Sequence, residues 1–170
     1  MPERFTYRVA ELTELPSVLR LREDVYRSDL GANPEDGYDQ GATHLAAYGD
    51  RDEMVAVFRI LSDAQRPFEF EHLYPLDALI KSGRRPGMIG KLCVRSTHRN
   101  VSRSTAILAG LLQLAQDYAM AAGITDYFIY ALAPLVRFYG RAGFVEEGVG
   151  IDHPVWGPLR LMRLAIAAQC

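Results

Sequence analysis

Only two cysteines, Cys93 and Cys170, occur in the 170 residues. Two are too few for a disulfide framework, and no spacing of the potential ligands makes a metal constellation. Cys93 lies in an apolar strand pattern and reads as inert core. No apolar run approaches the ~20 residues needed to span a bilayer. Met1 to Ala10 alternates polar and apolar residues, with no positive region leading into an apolar one. These absences argue against a membrane and for a cytoplasmic protein. There is no block of like charge, and a formal net charge of -2 gives no general attraction to nucleic acid. Internal repeats, low-complexity segments, a Ser-His-Asp order and a nucleophile elbow are missing as well.

What is there is an ordinary soluble composition, 49% hydrophobic and 24% charged, in a chain long enough for one domain with one sizeable core. The periods alternate between helix and strand, which predicts a mixed α+β (α/β) fold. Arg4 to Val9 reads as a strand and Leu15 to Tyr26 as a helix with Pro16 near its start. Ser28 to Gly41 has no period and reads as a loop long enough to meet a substrate. Thr43 to Tyr48 and Met54 to Leu61 form a strand pair, the stripe Leu73, Leu76, Leu79, Ile80 a short helix, and Met88 to Val94 the next strand. A helix from Ser102 to about Ala122 is the most strongly patterned element, with Gly123 as its stop. Asp126 to Leu132 is a strand and Pro134 to Arg141 a short helix. Val145 to Ile151 and Leu159 to Ile166 are the last two strands, parted by the turn-rich 152–158.

The passage from Val94 to Leu108 joins a strand end to a helix start through a polar, basic turn. A helix start leaves backbone N–H groups unpaired and pointing outward, which suits a phosphate or pyrophosphate. Groups from about Asn100 to Ser104 can wrap such an anion, with Arg99 or Arg103 adding charge. The plain alternative is that Ser102 only caps the helix and the arginines are solvated.

The same stretch, with Tyr139-Gly140-Arg141-Ala142-Gly143-Phe144 further on, resembles the GCN5-related N-acetyltransferase (GNAT) superfamily. That family's signature is Arg or Gln, two residues, Gly, one residue, then Gly or Ala. Here it falls on Arg99, Ser102 and Ser104, both small positions being Ser. Arg22 to Tyr26, Asp36 to Asp39, Phe58 to Leu61 and Lys91 to Val94 resemble the branch of acyl-homoserine lactone synthases and N-acyl amino acid synthases. Lys91 stands where that branch usually has Arg.

The resemblance implies a central, mostly antiparallel mixed sheet flanked by helices. It also implies an N-acyltransferase that moves an acyl group from acetyl-CoA, a longer acyl-CoA or an acyl carrier protein to an amine by direct attack. The acceptor is a small molecule or a peptide, and no metal is implied. Leu92, Cys93, Val94, Arg99, Asn100, Val101, Ser102, Arg103, Ser104 and Thr105 are the expected cosubstrate contacts. Tyr139 is the expected acid, since a phenol of pKa ~10 is protonated at neutral pH and can protonate a departing thiolate. Its plain alternative is aromatic packing.

Direct attack also needs a base. Glu71, His72, His98, Asp152, His153, Asp36 and Asp39 are candidates, each equally readable as an ordinary solvated or satisfied residue. We take Glu71 as the base and Asp36, Asp39, Arg59 and His72 as acceptor contacts. Arg59, on an otherwise apolar strand, must find a partner: an acceptor carboxylate, or an acidic residue of the fold. A non-catalytic CoA-binding regulatory or interaction domain is the alternative of a different class, in which Tyr139 only packs.

Overall fold

The computed structural model describes residues 4–31 and 36–166, so Cys170 and residues 32–35 of the expected loop lie outside the described residues. The fold is mixed α and β, with a seven-stranded, mostly antiparallel sheet. The chain divides into two compact units, 1–60 with 91–117 and 61–90 with 118–170.

The first unit carries β1 (Thr6–Val9), α1 (Leu15–Leu30), β2 (Thr43–Tyr48), β3 (Met54–Leu61), the end of β4 (Pro86–Val94) and most of α2 (Val101–Ala122). Its strands follow the order β1-β2-β3-β4, and β2 pairs antiparallel with both β1 and β3. Every residue of β3 is buried, so the strand reads as a continuous apolar run broken by one charge, Arg59. Val18 and Leu21 of α1 pack with Ala46, Tyr48, Met54, Val57 and Cys93. On α2 the buried stripe is Ile107, Leu111, Ala115 and Ala119, an i, i+4 ladder that is the centre of the expected face. Gly110 lies against the Tyr7 ring so closely that a Cβ there would meet Tyr7 Cζ at 2.1 Å. The Tyr7 hydroxyl donates to the Ala106 carbonyl at 3.0 Å.

The second unit holds the start of β4, β5 (Asp126–Leu132), α3 (Val136–Arg141), β6 (Val145–His153) and β7 (Gly157–Ala165), with strands in the order β4-β5-β7-β6. β5 runs parallel to the start of β4, and β7 pairs antiparallel with both β5 and β6. Asp126 fixes one end: Arg84 clamps it in a two-pronged ion pair at 2.7 and 2.8 Å.

Several boundaries differ from expectation, among them four with a local account. α1 runs on to Leu30, because Ser28 bonds back to the Val25 carbonyl and Arg27 pairs with Glu23 one turn earlier; Gly31, at φ 60°, then ends it. The stripe from Leu73 to Ile80 makes only the one-turn helix Leu76–Ala78 after Pro75. β4 begins at Pro86, pairing with Asp126 before the first apolar residues of the pattern. β6 reaches His153, which places Asp152 on the strand and tightens the last turn to residues 154–156.

Candidate active site

β4 ends at Val94, and the turn Ser96–His98 leads into α2 at Val101. Asn100 caps this helix: its side-chain oxygen accepts the Arg103 N–H at 2.9 Å and its carbonyl the Ser104 N–H at 2.9 Å. The cap that the plain alternative gave to Ser102 is thus made two residues earlier, by Asn100. The serine and threonine hydroxyls turn back onto the chain, Ser104 to the His98 carbonyl at 3.3 Å and Thr105 to the Val101 carbonyl at 2.8 Å. Val101 and Ser102, both exposed, keep first-turn N–H groups that no residue of the helix can accept.

Arg99 is drawn back into the fold, with Nε donating to the Val94 carbonyl at 2.7 Å and Nη1 paired with Asp29 of α1 at 2.5 Å. Arg103 donates to the Thr97 carbonyl at 3.2 Å. In β4, Leu92 and Val94 are half-buried and alternate with buried Cys93. Burial pushes the Cys93 thiol up to about 12, so the side chain is a hydrophobe at neutral pH, as its sequence setting suggested.

The acidic pair expected to grip an acceptor is part of a buried ion cluster. Arg59 holds Asp36 with two parallel bonds, Nη1 to Oδ1 at 2.6 Å and Nη2 to Oδ2 at 2.7 Å, and reaches Asp39 at 3.0 Å. Arg22 of α1 pairs with Asp39 at 2.5 Å, and Lys91 Nζ lies 3.2 Å from Asp36. Lys91 takes a left-handed backbone, φ 54°, in the middle of β4. His44 completes the group, 3.0 Å from Arg22 and 3.0 Å from the Asp39 carbonyl.

Of the two partners considered for Arg59, the structure supplies the internal one. Burial alone would raise the Asp36 carboxyl, but the bonds and charge of Arg59, with Lys91 behind, hold it well below the usual carboxylate range. Burial opposes Asp39 in the same way, and Arg22 and Arg59 win. The sequence analysis gave no role of its own to Arg22 and passed over His44. The signals were there: Arg22 follows directly on an apolar stripe residue, and His44 sits in an apolar strand.

Five further candidates, Glu71, His72, Tyr139, Asp152 and His153, lie in the second unit. The buried Glu71 accepts from the Arg66 guanidinium on both oxygens and from the Phe68 N–H at 2.5 Å, so its carboxylate is committed to an ion pair and a turn. His72 is exposed in that turn. Tyr139, on α3, is 9% exposed between the Phe138 and Phe144 rings, at centroid distances of 5.3 and 5.7 Å. Burial pushes its phenol up to about 12, so it carries its proton throughout the neutral range. His153 packs with Phe70 and Trp156, and its Nδ1 accepts two turn N–H groups. His98 is buried beside Phe5. No group of His, Cys, Asp and Glu that could hold a metal occurs among the described residues, and no helix there is long and apolar enough to cross a membrane.

A sequence model of the N-acyl amino acid synthase FeeM family matches residues 17–165. Among solved structures, the fold superposes on FeeM, an N-acyl amino acid synthase from uncultured soil microbes, with a TM-score of 0.84 at 18% identity over 98% of this chain and 92% of that one. The AHL synthase LasI gives 0.75 at 14% identity over 98% and 92%. An acyl-CoA N-acyltransferase from Pseudomonas aeruginosa gives 0.69 at 24% over 96% and 99%. At these identities the likeness is one of fold. No curated protein sequence matches the chain.

Proposed function

The chain belongs to the N-acyl amino acid synthase FeeM family and is an N-acyltransferase, and on that premise we propose that it joins an acyl group from a pantetheine thioester to the amino group of an amino acid. The observation that carries this reading is the span of the family match, which takes in every candidate residue from Asp36 to Tyr139. Acyl-CoA is the nominal donor, with acyl carrier protein as the second source of the same thioester.

In this reading the first-turn N–H groups of Val101 and Ser102 receive the donor's phosphates. Arg103 supplies positive charge there, while Arg99 braces the turn through Asp29. The neutral amine attacks the thioester carbonyl, the C–N bond forms and the C–S bond breaks. The Tyr139 hydroxyl gives its proton to the departing thiolate. With a pKa of about 12 it is charged only transiently and is reprotonated from solvent. The proton lost by the amine goes to water, because Glu71 is held by Arg66 and Phe68. The 36–41 segment, pinned by Arg22, Arg59 and Lys91, forms a fixed acceptor wall rather than a set of free carboxylates.

Thiol release and product mass test the reading together, with short and long acyl-CoA, acylated carrier protein and the common amino acids offered in combination. The expected result is an N-acyl amino acid formed in step with free thiol. Tight CoA binding with no product from any donor would instead favour a CoA-binding regulatory domain.

A further inference from the structure

The His44 ring is buried in β2 and both of its nitrogens are occupied. Nδ1 lies 3.0 Å from Arg22 Nη2, and Nε2 lies 3.0 Å from the carbonyl oxygen of Asp39. A guanidinium only donates and a carbonyl only accepts. The two partners therefore admit one form of the ring: neutral, with the Nδ1 lone pair toward Arg22 and the Nε2 proton donated to Asp39.

Charges face this ring from every element around it. Arg22 comes from α1, Arg59 from the opposite register position of β3, and the Asp39 carboxylate from the segment the ring holds. Behind them stand Asp36 and Lys91 of β4. Arg22 is the charge in contact with Nδ1, so a proton there would place a second cation 3.0 Å from its guanidinium. It would also turn N–H against N–H at Arg22 and cost the ring that bond.

We infer that His44 is a positioning residue which, only as a neutral ring, adds its hold to that of Arg22, Arg59 and Lys91 and so keeps the 36–41 segment in the arrangement that receives the amine acceptor. Its catalytic consequence rests on the acyl-transfer reading; the hold on the segment does not. His44 touches no reacting atom. It acts through Arg22 and the Asp39 backbone, and so fixes where Asp36 and Asp39 stand. Acidification protonates Nδ1 from solvent, breaks the Arg22 contact and loosens the segment while the core strands stay paired.

Hydrogen exchange at the amides of residues 36–43, expressed as protection relative to the intrinsic rate, reads that loosening directly. Wild type and His44→Gln are compared from about pH 7 to about pH 5, with the KM and kcat for the amine measured on the same samples. Glutamine offers a neutral acceptor and a neutral donor at every pH in the range. In wild type, protection should fall about tenfold or more, as follows when an opened imidazole of pKa ~6.5 takes a proton that the closed one refuses. In His44→Gln it should stay level, and the amine KM should lose the acid rise that exceeds protonation of the amine itself. Level protection in wild type, or an equal fall in both proteins, would overturn the inference. Because a substitution here can cost folding, the imidazole nitrogen resonances of the wild type give an independent reading. A neutral ring protonated on Nε2 at pH 7 is expected, and a charged ring or an Nδ1–H ring contradicts it. If no N-acyl product forms while the protection profiles separate as expected, the acyl-transfer reading falls and the hold by His44 stands. If product forms while the profiles run parallel, the reverse is true.

Discussion

In the proposed mechanism Tyr139 carries the proton chemistry, while Asp39 carries much of the folding energy of the ion cluster. Tyr139→Phe removes a hydroxyl and leaves the ring between Phe138 and Phe144, so folding and donor binding should survive. In the proposed mechanism kcat falls by about 10²–10⁴, the usual worth of a positioned proton donor. An unchanged kcat in steady-state thiol release would take Tyr139 out of the mechanism. Asp39→Asn should cost about 3–5 kcal/mol in urea unfolding, because Arg22 and Arg59 would keep their charges in the interior without their shared carboxylate. Asp77→Asn makes the contrast: that carboxylate is 80% exposed, and its loss should move stability by no more than about 0.5 kcal/mol. At this scale the sequence was legible in part. A charge on the apolar β3 had to find a partner, and Arg59 did. That the partner was Asp36 and Asp39 of the fold rather than an acceptor carboxylate depended on pairing across a long separation, which no local pattern reports. Cys93 was readable because a thiol in an apolar strand has few ways to be anything but core.

The elements themselves followed their periods closely wherever packing and propensity agreed. β2, β3 and β5 have the boundaries their patterns predicted, and α2 starts one residue earlier than expected and ends at Ala122. At the end of α1 a single bond and an ion pair, from Ser28 and Arg27, carried the element past its apolar stripe. The cap of α2 is a similar case: Ser102 has the right chemistry, but Asn100 holds the right position. Asn100→Ala should therefore lower stability by about 1 kcal/mol, whereas Ser102→Ala should leave thermal unfolding almost unmoved. Gly110→Ala should cost about 1–3 kcal/mol, since its Cβ must displace the Tyr7 ring. Adding Tyr7→Ala should recover part of that loss, and a double-mutant cycle measures how much. Strictly additive losses would mean the two residues do not press on each other.

For the whole molecule, the titrating groups predict how stability changes with pH. Burial, Arg22 and Arg59 hold His44 below its ordinary value, so the unfolded chain binds this proton first and stability declines as pH drops below about 6.5. Asp36 and Asp39 are held low by their cations, so their contribution is full above about 3.8 and is lost as pH falls further through their folded values. Urea unfolding from about pH 7.5 to about pH 3 should show two successive declines, and His44→Gln should erase only the first. The fold class and the passage from β4 through a turn into α2 were readable from the sequence, because strand-turn-helix order is a local property. The ion cluster was not, since Arg22, Asp36, Asp39, His44, Arg59 and Lys91 come together only in the folded chain. The central claim is N-acyl transfer from a pantetheine thioester to an amino acid, and intact-mass analysis of the products is its most direct test. Offered acyl-CoA or acylated carrier protein with the common amino acids, the protein should yield an N-acyl amino acid and an equal amount of free thiol. Failure to acylate any amino acid from either donor, by a folded protein that binds CoA, would contradict it.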